Sequence, residues 1–419
     1  MKEIFFLANP WWENKKFETG ILREKYLSVL IKSLNHKRAV LITGSRRVGK
    51  TTLLKQFVKY LIEQKLVNSK NILYLSLDHP RISKFSILEI VEEYRKIHLL
   101  NRNKKIFLIF DEIQYAKNWE QEIKALVDLE NIKIFLSGSA NTKIFQKIPF
   151  LTGRYQKIKI NPLDFKEFLR FKNIKIASTE EYKYEKCLED YLKIGGYPEY
   201  VLGYQEDYFS DLIEGIIFKD IVYLHNIKNS DIIRDLLLLL SDRNGHQTSF
   251  TKLSKILGMS IDTIKEYISF LKETYIVNEI ERFSDSRSKK IYSAKKFYLH
   301  DAGLLRYLAS KFNLGSAAET ILYNFLSENF KISFYYENQQ EIDFAFLNKT
   351  KQRILIESKF VNKREEIDDK VILNIKKIAI ELNIKKIFII TRNLETIEKS
   401  KNVVIKFIPL WKYLLLNKI

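Results

Sequence analysis

Three groups of residues in this 419-residue sequence have the types and spacing to do chemistry. The first is the run Gly44, Ser45, Arg46, Arg47, Val48, Gly49, Lys50, Thr51 and Thr52, a G-x-x-x-x-G-K-T pattern. Its glycines let backbone N–H groups curl around a phosphate. The Lys50 ammonium then reaches the β- and γ-phosphates, and the Thr51 hydroxyl is placed for Mg²⁺. The second group is Asp111-Glu112, at the end of "KKIFLIFDEIQ" (104–114). Asp111 would hold that Mg²⁺ through water and Glu112 would activate the attacking water, so the pair and the loop read together as ATP hydrolysis. Ser139, in "IKIFLSGSAN" (132–141), is preferred over Ser137 and Asn141 as the residue sensing the γ-phosphate. The third group is Glu319, Asp343, Glu357 and Lys359. An acid on one strand, E-x-K on the next and a glutamate on the preceding helix suit one or two Mg²⁺ ions, with Lys359 orienting a water for metal-assisted phosphodiester hydrolysis.

The elements that must position these residues are legible. "AVLITG" is a strand, and the helix from Lys50 carries Leu53, Leu54, Phe57, Val58, Leu61 and Ile62 at a 3.6-residue period. "NILYLSLD" (71–78) and the strands ending at Asp111 and Ser139 alternate with helical segments, which predicts a parallel α/β sheet with its ligand at the strands' carboxyl ends. Residues 161–230 read as a helical lid, broken by Gly195-Gly196 and Pro198. Residues 231–312 hold a helix–turn–helix with Gly258 ending one helix and Ser260 capping the next, followed by a basic turn and a return strand, the pattern of a winged helix. Lys265, Arg287, Lys289, Lys290, Lys295 and Lys296 are its candidates for phosphate contacts. The exposed face of the second helix is mixed in charge (Asp262, Thr263, Lys265, Glu266, Ser269), so packing on a neighbour or a protein partner stays open beside DNA. Residues 313–419 run helix, three strands, helix, strand, strand, helix. The expected divisions are therefore 1–160, 161–230, 231–312 and 313–419.

Composition narrows the class. The net charge is +20 with pI near 9.5, an excess that favours polyanions, DNA first among them. Hydrophobic residues make up 46%, and 13 Gly plus 6 Pro give only 19, which argues against long disordered stretches. No run approaches the ~20 apolar residues of a membrane span, and the start is too quickly broken for a signal peptide. A single cysteine, Cys187, excludes an internal disulfide and a Cys-rich zinc site. These features predict a cytoplasmic protein without a membrane partner.

With "NPWWE", "TGSRRVGKTTLL", "FDEIQ", "LSGS", "LTGR", "PLDFKEFL", "GGYPEYV", "KKFYLHDAGLL", "EIDF" and "IESK" in place, the chain resembles the prokaryotic AAA+-superfamily ATPases that join a P-loop core, a winged helix and a PD-(D/E)xK-like C-terminal domain. The resemblance implies an α/β P-loop NTPase sheet with a helical lid, a winged helix–turn–helix and a restriction-endonuclease-like α/β domain. It implies ATP and Mg²⁺ as ligands and Arg154 as an arginine finger acting in phosphoryl transfer, while the net charge and the candidate DNA-binding modules make DNA the expected partner, with a homo-oligomer as a possible assembly. Two functions lead, ahead of a simple nuclease whose P-loop is regulatory. One is an ATP-driven DNA-processing or DNA-remodelling motor, with or without Mg²⁺-dependent cleavage. The other is a nucleotide-gated switch in signalling or defence that acts on a protein partner and carries an inactive nuclease-like domain.

Overall fold

Continuous apolar runs build the first sheet. The computed structural model describes residues 1–139, 151–203, 205–227, 229–400 and 402–416, with Ser139 described by its backbone alone. The strands are β1 (Ala39–Gly44), β2 (Ile72–Ser76), β3 (Ile106–Asp111), β4 (Ile132–Ser139) and β5 (Tyr155–Lys159). They pair in the order β2-β3-β4-β1-β5, all parallel. Every residue of β1 and β3 is buried, as both faces of a parallel sheet require. The helix Lys50–Glu63 packs its apolar stripe on the sheet, with the Phe57 and Phe135 rings 4.5 Å apart. The motif "NPWWE" pins the exposed edge of this sheet. The buried Asn9 amide donates to Tyr74 O (2.9 Å) and its oxygen accepts from Tyr74 N (2.7 Å), while the Trp12 indole donates to Ile72 O (2.9 Å). Edge strand β2 is thereby capped by side chains where another strand would otherwise pair.

The chain divides into two units. The first comprises Met1–Asn161 together with a returning segment, Phe218–Asn226; the second comprises Pro162–Ile217 and Ile227–Ile419. The returning segment 218–226 belongs to the first unit although it follows more than fifty residues of the second.

In the second unit, Ser249 caps the helix Phe250–Leu257, Gly258 ends it at φ +65°, and Ser260 caps Ile261–Glu273. An antiparallel pair follows, β6 (Val277–Ile280) and β7 (Lys296–Leu299), joined through a short helix Arg287–Tyr292 that the sequence reading had as a simple turn. The last sheet holds β8 (Ser333–Glu337), β9 (Gln340–Leu347), β10 (Arg353–Lys359), β11 (Lys386–Thr391), β12 (Thr396–Lys399) and β13 (Val404–Pro409). Its order is β12-β13-β11-β10-β9-β8, with β10, β11 and β13 parallel to one another and the remaining pairs antiparallel. Ile342, Leu355, Ile375, Ile378, Ile389 and Ile405 form its core. Strand β12 is an addition to the expected order. "TIEK" is mostly exposed and polar, so it carries no strand signal of its own and exists by pairing with β13.

Two of the sequence motifs meet inside this unit. Asp301 caps the helix Ala302–Leu308 through Leu304 N (2.9 Å) and also accepts from Gly196 N (2.6 Å). Gly196 O in turn accepts from Leu163 N at 2.6 Å. A Cβ on Gly303 would lie 2.0 Å from Ile194 O. Gly303→Ala, in a helix where alanine is intrinsically favoured, is therefore expected to lower rather than raise stability, by about 1–3 kcal/mol from forced overpacking. Thermal unfolding of the variant reads the sign directly.

Candidate functional site

Backbone conformation sets the phosphate loop. Gly49 takes φ +90° as N-cap of the helix Lys50–Glu63, and Arg47 takes φ +60°. The turn leaves the Lys50 side chain buried beneath the loop, donating to Gly44 O (3.0 Å) and Ser45 O (2.8 Å). Burial lowers the Lys50 pKa, and Glu112, Asp111 and Asp220 oppose that shift. Helix N-terminus, curled backbone and lysine converge on one point, an arrangement suited to a polyphosphate.

The acidic pair stands opposite. Asp111, 2% exposed, accepts from Thr51 Oγ1 (2.5 Å) and the Tyr74 hydroxyl (3.0 Å), and also from the Ser137 hydroxyl. A threonine hydroxyl against a carboxylate is the hard-oxygen pair that fits Mg²⁺ bound to phosphate. Glu112 sits at φ 55°, a left-handed conformation rare outside glycine, which turns its side chain out of the strand line; the Gln114 amide donates to it. Strand β4 lies between β1 and β3, so Ser137 bridges the loop side and the acidic side by touching Asp111, and its hydroxyl lies 3.4 Å from Glu112 N. On sequence alone Ser139 is preferred to Ser137 as the residue sensing the γ-phosphate. The Ser139 side chain and Asn141 lie outside the described residues. The signal for Ser137 was its period-two relation to Ser139 on a buried strand.

Arg46 and Asp220 add what the sequence did not suggest. Arg46, inside the loop, donates from Nε (2.5 Å) and from an Nη (2.7 Å) to the two carboxylate oxygens of Asp220, a bidentate pair. Asp220 is only 4% exposed and comes from the returning segment of this unit.

Arg154 stands elsewhere. It immediately precedes β5, whose Tyr155 pairs with Ala39 at the start of β1, whereas the phosphate loop follows Gly44 at the other end. Five residues of strand separate the two, roughly 16 Å at about 3.3 Å per residue. The Arg154 guanidinium bonds both Asp128 oxygens at 2.9 Å on the surface.

The third group forms a closed network in the second unit. Glu319 lies on the helix Leu314–Ser327, Asp343 on β9 and Glu357 and Lys359 on β10, as the sequence pattern requires. Into their midst β7 inserts Lys296, 1% exposed. Its ammonium lies 2.5 Å from Glu341, 3.1 Å from Asp343 and 3.8 Å from Glu319. The Tyr298 hydroxyl donates to Glu319 (2.6 Å), and Lys359 pairs with Glu357 (2.7 Å). Backbone N–H groups of Asp343 and Ser358 donate to Glu357 (3.1 Å) and Asp343 (3.0 Å). Burial would lower the Lys296 pKa, but Asp343, Glu319 and Glu341 outweigh it and hold the ammonium charged. Burial and Asp343 push Glu319 and Glu357 up; Lys296 and Lys359 outweigh burial to hold Asp343 below its ordinary range. This network does not fit Mg²⁺, because the carboxylates already share a lysine cation. Among the described residues no group of three or more His, Cys, Asp and Glu is arranged to hold a metal ion.

Two of the six basic residues expected on the wing surface are not there. Lys296, on the fully buried strand β7, fills the carboxylate cluster, and Lys295 just before it is buried, pairs its backbone with Thr248 and bonds Lys290 O and Glu281. Lys265, Arg287 and Lys289 are exposed and Lys290 is half-buried. Lys265 lies 3.6 Å from Asp262 and Lys289 3.5 Å from Glu337. Sequence reasoning missed Glu341, Tyr298 and the role of Lys296. The available signal was again period two: Lys296 and Tyr298 share a strand face.

The parallel sheet with a phosphate loop after β1 and an acidic pair after β3 defines a P-loop NTPase fold. Residues 36–169 match the AAA domain family, and residues 185–315 match a domain of unknown function (DUF8612). Residues 36–169 are thus similar to an AAA domain. It is 29% identical over 336 residues to an uncharacterized protein of Haemophilus influenzae, covering 77% of this chain and 83% of that one. It is likewise 29% identical over 399 residues to an uncharacterized protein of Methanocaldococcus jannaschii, covering 89% and 87%. Among solved structures, the Aeropyrum pernix ORC1 protein in complex with DNA aligns over 69% of this chain and 92% of its own, at 13% identity and a TM-score of 0.32. Among the described residues no helix is long and apolar enough to cross a membrane.

Proposed function

We propose that this chain is an Mg²⁺-dependent ATPase that binds DNA and couples ATP turnover to remodelling it. The observation that carries the ATPase reading is the contact of Thr51 with Asp111 beside the buried Lys50. Thr51 and Asp111 would hold Mg²⁺, which neutralises phosphate charge when bound. Lys50 exchanges its bonds to Gly44 O and Ser45 O for phosphate oxygens, and Ser137 and Tyr74 keep Asp111 oriented. Glu112 takes the proton of the attacking water as its oxygen joins phosphorus and the bond to ADP breaks. Release of phosphate from ATP, lost in Lys50→Ala, tests this reading.

DNA binding rests on the +20 charge and on the winged helix. In the short helix after β6, Arg287 and Lys289 are exposed and Tyr292 is 88% exposed, offering cations for phosphates and a ring for base stacking. Replacing Arg287, Lys289 and Lys290 together with alanine is expected to weaken duplex binding and to reduce the slope of log affinity against log salt by about two to three. An unchanged slope places the DNA contact elsewhere.

The C-terminal sheet is read as a nuclease-like, PD-(D/E)xK domain kept for holding rather than cutting, with Lys296 in place of a metal. That observation also favours the second reading, a nucleotide-gated switch acting on a protein partner. ATP turnover stimulated by DNA supports the motor; turnover indifferent to DNA supports the switch. Arg154 lies too far from its own phosphate loop to act in cis, so a finger role requires a second copy. Mixing Arg154→Ala chains with Lys50→Ala chains is expected to restore hydrolysis above the sum of the two alone. No restoration removes Arg154 from catalysis.

A further inference from the structure

The segment Gly215–Val222 is π-helical, an arrangement found mostly as short stretches at functional sites. Within it the chain leaves the second unit after Ile217; it belongs to the nucleotide unit for Phe218–Asn226 and returns to the second unit at Ile227. Nothing in an ATPase mechanism requires an acid at this place, yet the segment delivers one. Asp220 is buried and grips Arg46, the third residue of the phosphate loop, through both carboxylate oxygens. The Asp220 charge also reaches Lys50, and Lys219 and Lys50 lie within its field. Burial pushes the Asp220 carboxyl up, and the bonds and charge of Arg46 work against that shift.

We propose that Asp220 is an acidic gate on the phosphate site, holding Arg46 in the nucleotide-free chain and giving it up when phosphates arrive. This rests on the ATP reading above. The phosphates of ATP bring negative charge to a loop where Lys50 and Arg46 are two of the cations and Asp220 is a buried anion. Phosphate and Asp220 compete for the same guanidinium, and they repel each other. The favourable partner of Asp220 is thereby removed at the moment its surroundings become more negative, so binding of ATP loosens the π-helical segment. Segment 218–226 then reports nucleotide occupancy to the chain on either side of it in sequence.

Titration with a fluorescent ATP analogue in the presence of Mg²⁺ tests the gate on the full chain. Asp220→Asn removes the competing charge and is expected to tighten binding roughly tenfold, within the range of ordinary coupling between sites. Arg46→Ala leaves Asp220 buried beside the phosphates without its partner, and is expected to weaken binding by a similar factor. The double variant Arg46→Ala, Asp220→Asn removes both charges, so it does not bury an unpaired acid, and is expected to bind better than Arg46→Ala alone. If Asp220 merely anchors Arg46, Asp220→Asn weakens binding and the double variant is no better than Arg46→Ala; either result overturns the gate. Absence of binding by the wild type overturns the ATP reading and the gate together. Binding by the wild type, lost in Lys50→Ala and unchanged in Asp220→Asn, overturns the gate alone.

Discussion

Lys50→Ala is expected to reduce ATP hydrolysis by roughly a hundredfold or more, the scale seen when one preorganised donor to a transition-state oxygen is removed. Lys50 is the cation that the loop is shaped to hold. It is buried, and its present bonds to two loop carbonyls are ones it can exchange for phosphate oxygens. Alanine there leaves the backbone cradle intact but removes a charge from a site already carrying Asp111, Glu112 and, through Arg46, Asp220. The net charge facing a polyphosphate turns unfavourable. Stability moves the other way or little, since a buried cation whose pKa is depressed by desolvation costs folding free energy. Loss of activity with unchanged or raised thermal stability is therefore the expected pair of results. Loss of both would mean that Lys50 is structural.

Lys296→Met is expected to destabilise the second unit by about 3–5 kcal/mol, the usual cost of removing one partner from a buried ionic network. Glu341, Asp343 and Glu319 all face that ammonium, and methionine leaves them facing one another. The effect should not come from lost volume, because methionine fills nearly the same space. Adding Glu319→Gln and Glu341→Gln to Lys296→Met is expected to recover most of the loss. A divalent cation is expected to stabilise Lys296→Met and to leave the wild type unmoved, since only the variant has carboxylates without a cation. Urea unfolding with and without Mg²⁺ measures both. A wild type stabilised by Mg²⁺ to the same extent would show that the cluster binds metal beside its lysine.

The nucleotide sheet was legible because its strands are buried on both faces and read as unbroken apolar runs, and because glycine, lysine and the acidic pair sit at fixed distances from them. The helix end at Gly258 and the cap at Ser260 were equally local signals. What was not legible depended on which distant charges share a pocket. Asp220 lies in a segment, "IIFKDIV", that reads as one more amphipathic helix, and nothing local says that it rejoins the first unit. Lys296 follows another lysine near a turn, where charge ordinarily means solvent; only the fold brings three carboxylates around it. "NPWWE", "GGYPEYV" and "KKFYLHDAGLL" were visible as words without a physical role. The structure gives each one: pinning strand β2, receiving Asp301, and supplying Lys296, Tyr298 and Asp301. The position of Arg154 at the far end of β5 follows from strand register, which motif order along the chain does not contain.

Glu112→Gln tests the central claim most directly, because it separates binding of ATP from its hydrolysis while changing neither size nor shape. Measured side by side with the wild type, Glu112→Gln is expected to bind ATP with Mg²⁺ at least as tightly and to hydrolyse it roughly a hundredfold more slowly or worse, as for loss of a positioned general base. Hydrolysis at the wild-type rate would contradict the assignment of the site and the mechanism built on it.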